Sequence, residues 1–410
     1  MKQDIDRLMT ERDIDAIVVE GPDGLGSANP HFNYFVAGQK LVGTVIKKRG
    51  EPAMLIHSPW ERKQAEETGL VLIGSDRWNR QEIAQQFPDR LMAAVEYRRR
   101  VFSDLGVTGR VGLYGTISAG SFLAVTSALA QHMPHIQFLG EFEQDIISMA
   151  RLTKDADELD QLRDVGQKTC AVVQEVVDFI RSGRAQGNTL VNTNNTPMTI
   201  GDVRALIGRE LAARGLEAPY DVIFAQGSDA GLPHAHGDDT AALQLGQSIV
   251  FDIYPRPRGG GYYHDMTRTF AIGYASPDLQ QIYDDVLGAM EHVLDGLEVG
   301  APTKAYQDET CTYLEARGHK TIGRTYPIDE GYIHSLGHGI GLDLHEDFAF
   351  PTFQDRGDRI VPGAVFTIEP GLYYPSRGMG VRIEDTIYCK PDGTFENLTP
   401  FPKTLVIPID

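Results

Sequence analysis

Gly246-Gln247-Ser248-Ile249-Val250-Phe251-Asp252 and Gly363-Ala364-Val365-Phe366-Thr367-Ile368-Glu369 are two versions of one pattern. Each runs glycine, then five mostly apolar or β-favouring residues, then a carboxylate. Each is followed by a turn-rich stretch and a second acid, Asp265-Met266-Thr267 after the first and Glu384-Asp385-Thr386 after the second. Those spacings suit β-hairpins whose two strands place one carboxylate each near the same level. A strand that ends in an acid is commonplace; the repetition is not. Two such hairpins related by a pseudo-twofold would bring four carboxylates to one point. Like charges ~4 Å apart at an effective dielectric of ~20 cost about 4 kcal/mol per pair, so the cluster needs protons or cations to persist.

A histidine-rich stretch lies between the two hairpins, His334-Ser335-Leu336-Gly337-His338-Gly339-Ile340-Gly341-Leu342-Asp343-Leu344-His345-Glu346. On a helix, His334 and His338 would share a face as in HExxH zinc sites. The glutamate of that motif is missing, and Gly337, Gly339 and Gly341 oppose a helix. The expectation is an extended or turning segment whose glycines let backbone approach a site closely. Upstream, residues 225–236 are small and turn-forming, so this loop can project His234 into a cleft.

The chain has 410 residues, enough for two domains. Hydrophobic residues at 41% and charged residues at 23% exclude wholesale disorder. No apolar run approaches the ~18 residues of a membrane-spanning helix. A formal charge of −19 argues against a duplex nucleic-acid partner, which needs Lys and Arg to offset phosphate charge. The charged start and the three scattered cysteines (Cys170, Cys311, Cys389) predict a cytoplasmic protein without a disulfide framework. Residues 1–148 read as a smaller mixed α/β domain. Helix is expected at residues 2–12, 81–104 and 118–131, and strand at 16–20, 33–37, 41–47, 53–56 and 111–114. A long amphipathic helix through Leu159, Leu162, Gly166, Cys170, Val173 and Val177 opens the second domain, residues 149–410. Further helices are expected at 201–214 (Thr199 as cap, Gly215 as stop), 279–295 and 303–317, and a surface loop at 186–196.

In order, His234, Asp252, Asp265, the His334/His338/His345 block, Glu369 within Phe366–Tyr373 and Glu384 within Gly380–Thr386 resemble the creatinase/aminopeptidase family of dinuclear metallopeptidases. Within it the chain resembles the Xaa-Pro peptidases, aminopeptidase P and Xaa-Pro dipeptidase (prolidase). The likeness covers roughly residues 150–410 and is weaker before them. It implies an α+β protein: a pita-bread C-terminal domain and a smaller mixed α/β creatinase-type N-terminal domain. It also implies two divalent metal ions, with Asp252 on the first, Asp265 and Glu384 bridging, and His338 and Glu369 completing the second. So oxygen-rich a ligand set favours Mn²⁺ and tolerates Co²⁺ or Zn²⁺. The resemblance gives His234, His345 and Glu369 catalytic roles and places His334 and Arg382 against the substrate. Because a proline nitrogen in a peptide carries no hydrogen, selectivity is expected from a shaped pocket, with Tyr373 as a candidate aromatic wall.

The implied reaction is hydrolysis of the bond before proline in a small peptide, by a hydroxide shared between the ions, in a homodimer. The segment Pro255–Tyr262 is about two residues longer than the family usually shows, and residues 186–196 look like an addition; neither touches a proposed ligand. Creatinase-type amidinohydrolases do not rely on these ligands, and methionine aminopeptidases generally lack the N-terminal domain. Dipeptide and longer substrates stay open, as does an ectoine-type amide hydrolase. A metal-free binding module of this fold has usually lost ligands that are all present here.

Overall fold

The computed structural model describes residues 4–22 and 29–409. Contacts divide it into two units, Met1–Arg151 with Gly259–Gly261, and Leu152–Arg258 with Tyr262–Asp410. The division falls a few residues beyond the expected one because Ile146–Arg151 forms a short helix against Asp4–Glu11 and Pro30–Val36. The long second-unit helix starts only at Ala156, where Asp155 and Glu158 form a reciprocal capping box. No helix among the described residues is long and apolar enough to cross a membrane.

The first unit is built on a six-stranded mixed sheet, ordered Val71–Gly74, Met54–His57, Gly43–Lys48, Ala16–Glu20, Gly109–Tyr114 and Ile136–Leu139. The strands expected at 41–47 and 53–56 are Gly43–Lys48 and Met54–His57, paired antiparallel across Arg49–Pro52. The expected first helix spans Asp4–Glu11; residues 2 and 3 lie outside the described residues. Two other expectations are corrected. Residues 33–37 are no strand: Pro30–Val36 is a helix, started by the Asn29 side chain accepting from the Phe32 N–H and by Pro30 at its first position. Capping outweighed the β-propensity of Tyr34, Phe35 and Val36. The helix expected over 81–104 is two, Arg80–Gln86 and Arg90–Asp104, because Pro88 lacks an N–H and drives Phe87 out of the helical region.

The second unit consists of two similar halves. In one, helices Ala156–Arg181 and Ile200–Ala213 cover a sheet ordered Ile223–Gln226, Ser248–Ile253, Met266–Ile272 and Val406–Ile407. In the other, helices Pro277–Asp295 and Thr303–Glu315 cover a sheet ordered Glu346–Ala349, His338–Gly339, Val365–Ile368, Asp385–Cys389 and Phe395–Asn397. Thr199 caps its helix reciprocally with Asp202, worth about 1 kcal/mol. The loop expected at 186–196 is partly a hairpin, Arg184–Gln186 with Thr189–Val191, after which the Asn192 carboxamide accepts from the N–H groups of Asn194 and Thr196. Asn and Thr thus supply the turn, while Leu190 is buried among the helix cores.

Strand periodicity decides what each sheet offers on its other face. Ile249, Phe251, Ile253, Met266, Phe270 and Ile272 point into the first helix layer. Side chains alternate along a strand, so Asp252, Asp265, Thr267 and Thr269 point the other way. In the second half Phe366, Ile368, Leu372, Val381, Ile383 and Ile387 face the helices. Thr367, Glu369, Tyr373, Arg382 and Glu384 therefore face away from them. Each hairpin buries one hydrophobic face and brings its acids to the opposite one.

Candidate metal centre

The two acid-bearing hairpins are not identical in register. Asp252 stands opposite Thr267, which places Asp265 diagonally across from it on the same face. In the second hairpin Ile368 pairs with Asp385 and Gly371 with Arg382, leaving Glu369 opposite Glu384. The adjacent acid, Asp385, points away and is held by Arg268 and Lys403. His338 arrives on a two-residue strand beside Val365–Ile368. Its neighbour Gly337 lies so close to that strand that a Cβ would meet the Thr367 carbonyl oxygen at 2.0 Å. Gly337 is therefore required by proximity, in line with the expected close approach of backbone to the site.

These side chains line one cleft of about 980 Å³ within the second unit. Asp252, Asp265, His338, Glu369 and Glu384 all border it, together with His234, His334, His345 and Arg382. Ligand atoms of Asp265, His338 and Glu384 lie within 4.8 Å of one another. His338 Nε2 is 3.6 Å from Asp265 Oδ2 and 3.5 Å from Glu369 Oε1. Tyr373 is the exception: it is fully buried and does not line the cleft. The expectation that it forms a pocket wall is corrected. Its hydroxyl lies between Arg382 Nη1 at 2.7 Å and His334 Nε2 at 3.0 Å, so it supports two residues that do reach the cleft.

The direction of those hydrogen bonds follows from elimination. Arginine only donates, so the Tyr373 oxygen accepts from Arg382 and its O–H is left to donate to His334 Nε2. His334 then carries its proton on Nδ1 and donates to the Ser335 carbonyl at 2.7 Å. Burial, followed by the neighbouring Arg382 charge, pushes His334 down to about 4, so the ring is neutral at physiological pH. Arg382 also donates to Asp252 and, through Nε, to the Thr267 hydroxyl at 3.1 Å. That hydroxyl donates to Glu384 Oε2 at 2.9 Å.

Whether the cluster suits a cation can be judged from its unpaired acceptors. His338 donates through Nδ1 to the Gly339 carbonyl at 3.1 Å, which leaves the Nε2 lone pair facing two carboxylates. Burial and the adjacent His345 hold His338 down to about 3, so the ring is neutral at physiological pH. Asp252 Oδ1, Asp265 Oδ1 and Glu384 Oε1 are buried and have no hydrogen-bond partner. Burial first, then the other acids, pushes the Asp265 and Glu384 carboxyls well above the ordinary range. Buried acceptors that converge on acceptors are costly unless something positive joins them. The donor set fits divalent metal, with oxygen ligands predominating and one imidazole.

Two residues of this network were not recognised in the sequence. Thr267 and Thr269 follow Asp265 in the same strand and bond to Glu384 and Arg382 from across the unit. The signal was available in the alternation Asp265, Thr267, Thr269, which puts three polar side chains on the face away from the helices.

The sequence model of metallopeptidase family M24 matches residues 160–391. The chain is 29% identical to a probable dipeptidase PepE of Mycobacterium tuberculosis over 77% of this chain and 79% of that protein. It is 25% identical to a Xaa-Pro dipeptidase of Pyrococcus furiosus over 96% of this chain and 97% of that one. In structure it is similar to a Xaa-Pro dipeptidase from Bacillus anthracis, with a TM-score of 0.76, 24% identity, and coverage of 100% and 99% of the two chains.

Proposed function

Because this chain belongs to metallopeptidase family M24, we propose that it hydrolyses the peptide bond before proline in small peptides, with Xaa-Pro dipeptides as its substrates. One observation carries the reading. Four carboxylates and the bare Nε2 of His338 converge in a cleft that also holds His234, His334 and His345. The names of the relatives, a dipeptidase and a Xaa-Pro dipeptidase, support the substrate class.

Asp252, Asp265, His338, Glu369 and Glu384 would hold two divalent ions, Mn²⁺ by the hardness of the set. When bound, such a pair lowers the pKa of a shared water towards ~7 and polarises the scissile carbonyl. The remaining work falls to side chains. Glu369 takes a proton from the attacking water and returns it to the leaving nitrogen. Burial lowers the pKa of His345. A neutral ring there, with His234, can donate a hydrogen bond to the oxyanion without adding a fixed positive charge. Arg382, braced by Asp252 and Tyr373, supplies a cation for the substrate carboxylate. His334, with both ring nitrogens engaged, turns a ring edge without spare polar groups toward the cleft, as a tertiary amide with no N–H requires.

The test is release of the free amino acid from Xaa-Pro dipeptides and from longer Xaa-Pro peptides, with and without Mn²⁺. Cleavage confined to dipeptides and dependent on metal is the expected result. Cleavage of longer peptides would shift the reading to an aminopeptidase. Silence on both, with turnover of acetylated diamines, would overturn it.

A further inference from the structure

Glu346, which borders the cleft, belongs to a second cluster of buried charge that the reaction does not use directly. Lys154 Nζ donates to Glu346 Oε2 at 2.6 Å, and the two side chains are 2% and 6% exposed. The other oxygen of Glu346 accepts from the Leu342 N–H at 3.1 Å. Glu346 therefore closes the turn Gly341–Glu346 on itself. Gly341 makes room for this, since a Cβ there would sit 2.4 Å from Glu346 Oε1. His345 is the residue immediately before Glu346, and its ring centroid lies 3.9 Å from that of His338.

Lys154 is itself fixed. Its N–H donates to the Gly363 carbonyl at 2.8 Å, next to a bridge between Thr153 and Ala364. It is thus tied by backbone to the start of the strand that leads to Glu369, and by side chain to the turn that carries His345. The first turn of the long helix supplies one more buried acid, Glu158, which is engaged by the Tyr262 hydroxyl and by the Asp155 N–H. Glu346 is left as the carboxylate to which the ammonium donates. A buried ion pair is a poor means of adding stability, because an apolar pair of similar volume often serves as well or better. It is a good means of fixing direction, because an ammonium and a carboxylate tolerate few relative placements.

We propose that Lys154 is a positioning residue for the reaction: through Glu346 it holds the turn 341–346 in the shape that aims the His345 imidazole into the cleft. The role rests on the function proposed above, in which His345 meets the oxyanion.

The experiment is a double-mutant cycle in the Mn²⁺-loaded enzyme with a Xaa-Pro dipeptide, comparing Lys154→Met, His345→Ala and the two combined. Lys154→Met should lower kcat by ~10-fold or more with KM within ~3-fold and metal stoichiometry unchanged, the pattern of a lost transition-state contact. Added to His345→Ala it should cost nothing further, since residues acting as a unit are not additive. Lys154→Arg should restore most of the rate. Losses that multiply, or loss of metal, would overturn the proposal. If Lys154→Met does not fold, Lys154→Met with Glu346→Gln, which leaves no lone buried charge, takes its place in the cycle. A second readout needs no turnover: the ring resonances of His345 should shift in the Lys154 variant, and unmoved resonances would also overturn it. Wild-type enzyme silent on Xaa-Pro dipeptides would sink the substrate reading, while the resonances would still decide the placement of His345.

Discussion

Thr267 and Glu384 belong to different hairpins and bond to each other twice. The Thr267 hydroxyl donates to Glu384 Oε2 at 2.9 Å, and the Glu384 N–H donates to the Thr267 carbonyl at 3.0 Å. One link orients a proposed metal ligand and the other fixes the strand that bears it. The halves of the second unit are joined where the acids meet, so the geometry of the centre is set by main-chain pairing rather than by long flexible side chains.

Thr267→Val keeps the shape of the side chain and deletes this hydroxyl, along with its acceptor role toward Arg382 Nε. Metal affinity should fall ~10–100-fold, the usual cost of removing an outer partner of a ligand. Turnover at saturating Mn²⁺ should change little. Calorimetric titration of metal into the chelated protein measures the first effect. Unchanged affinity would mean that the hydroxyl merely fills space.

Tyr373→Phe removes the bridge between Arg382 and His334 and leaves His334 Nε2 without its donor. Stability should drop by about 1–3 kcal/mol, the cost of buried groups left unpaired. The preference for Xaa-Pro over Xaa-Ala dipeptides should narrow by roughly 10-fold, equivalent to about 1.4 kcal/mol. The ratio of the two kcat/KM values decides this. An unaltered ratio would separate the tautomer of His334 from selectivity.

The gathering of these side chains could be read from the chain because its strands obey a period of two and the proposed ligands are acids and one histidine at the ends of apolar runs. Glu384 and Asp385 show where that reading needs help. Adjacent acids point to opposite faces, and only the pairing of Ile368 with Asp385 settles that Glu384 stands opposite Glu369. Lys154 and Glu346 gave no local signal, because a contact across so much sequence leaves no periodicity. At Pro30–Val36 the β-favouring residues point to a strand, but the Asn29 cap and Pro30 decide for a helix.

A pH effect is expected in the first unit. Burial alone would raise the Asp145 carboxyl, but a hydrogen bond from His31 at 3.0 Å, the His31 charge and bonds from Ser148 hold it well below the ordinary range. A depressed carboxyl stabilises the fold above its unfolded pKa of ~4 and loses that contribution as pH falls through the folded value. Thermal unfolding followed from pH 6 to pH 2 should therefore show a steeper acid loss in wild type than in Asp145→Asn. At neutral pH the variant should be weaker by about 1 kcal/mol, since the amide can still cap Ile147 and Ser148. Parallel curves would refute the assignment.

Asp265→Asn should move stability in opposite directions depending on metal. Asp265 is 4% exposed, and after burial the charges of Asp252 and Glu369 most disfavour its ionisation. Without metal at neutral pH, replacing this carboxyl relieves like-charge repulsion worth up to about 4 kcal/mol per pair at ~4 Å. The chelated variant should consequently melt above the chelated wild type. With metal the order should reverse. Wild type gains about 2.7 kcal/mol at a metal concentration ~100 times Kd, and a variant that binds poorly gains little. Activity should be abolished and bound metal should fall below that of wild type, because Asp265 is proposed to serve both ions. Melting curves with chelator and with Mn²⁺ test the crossing. A variant that is the less stable protein in both states would show that Asp265 is held by the fold for packing, and that the acids do not gather at a cost that metal offsets.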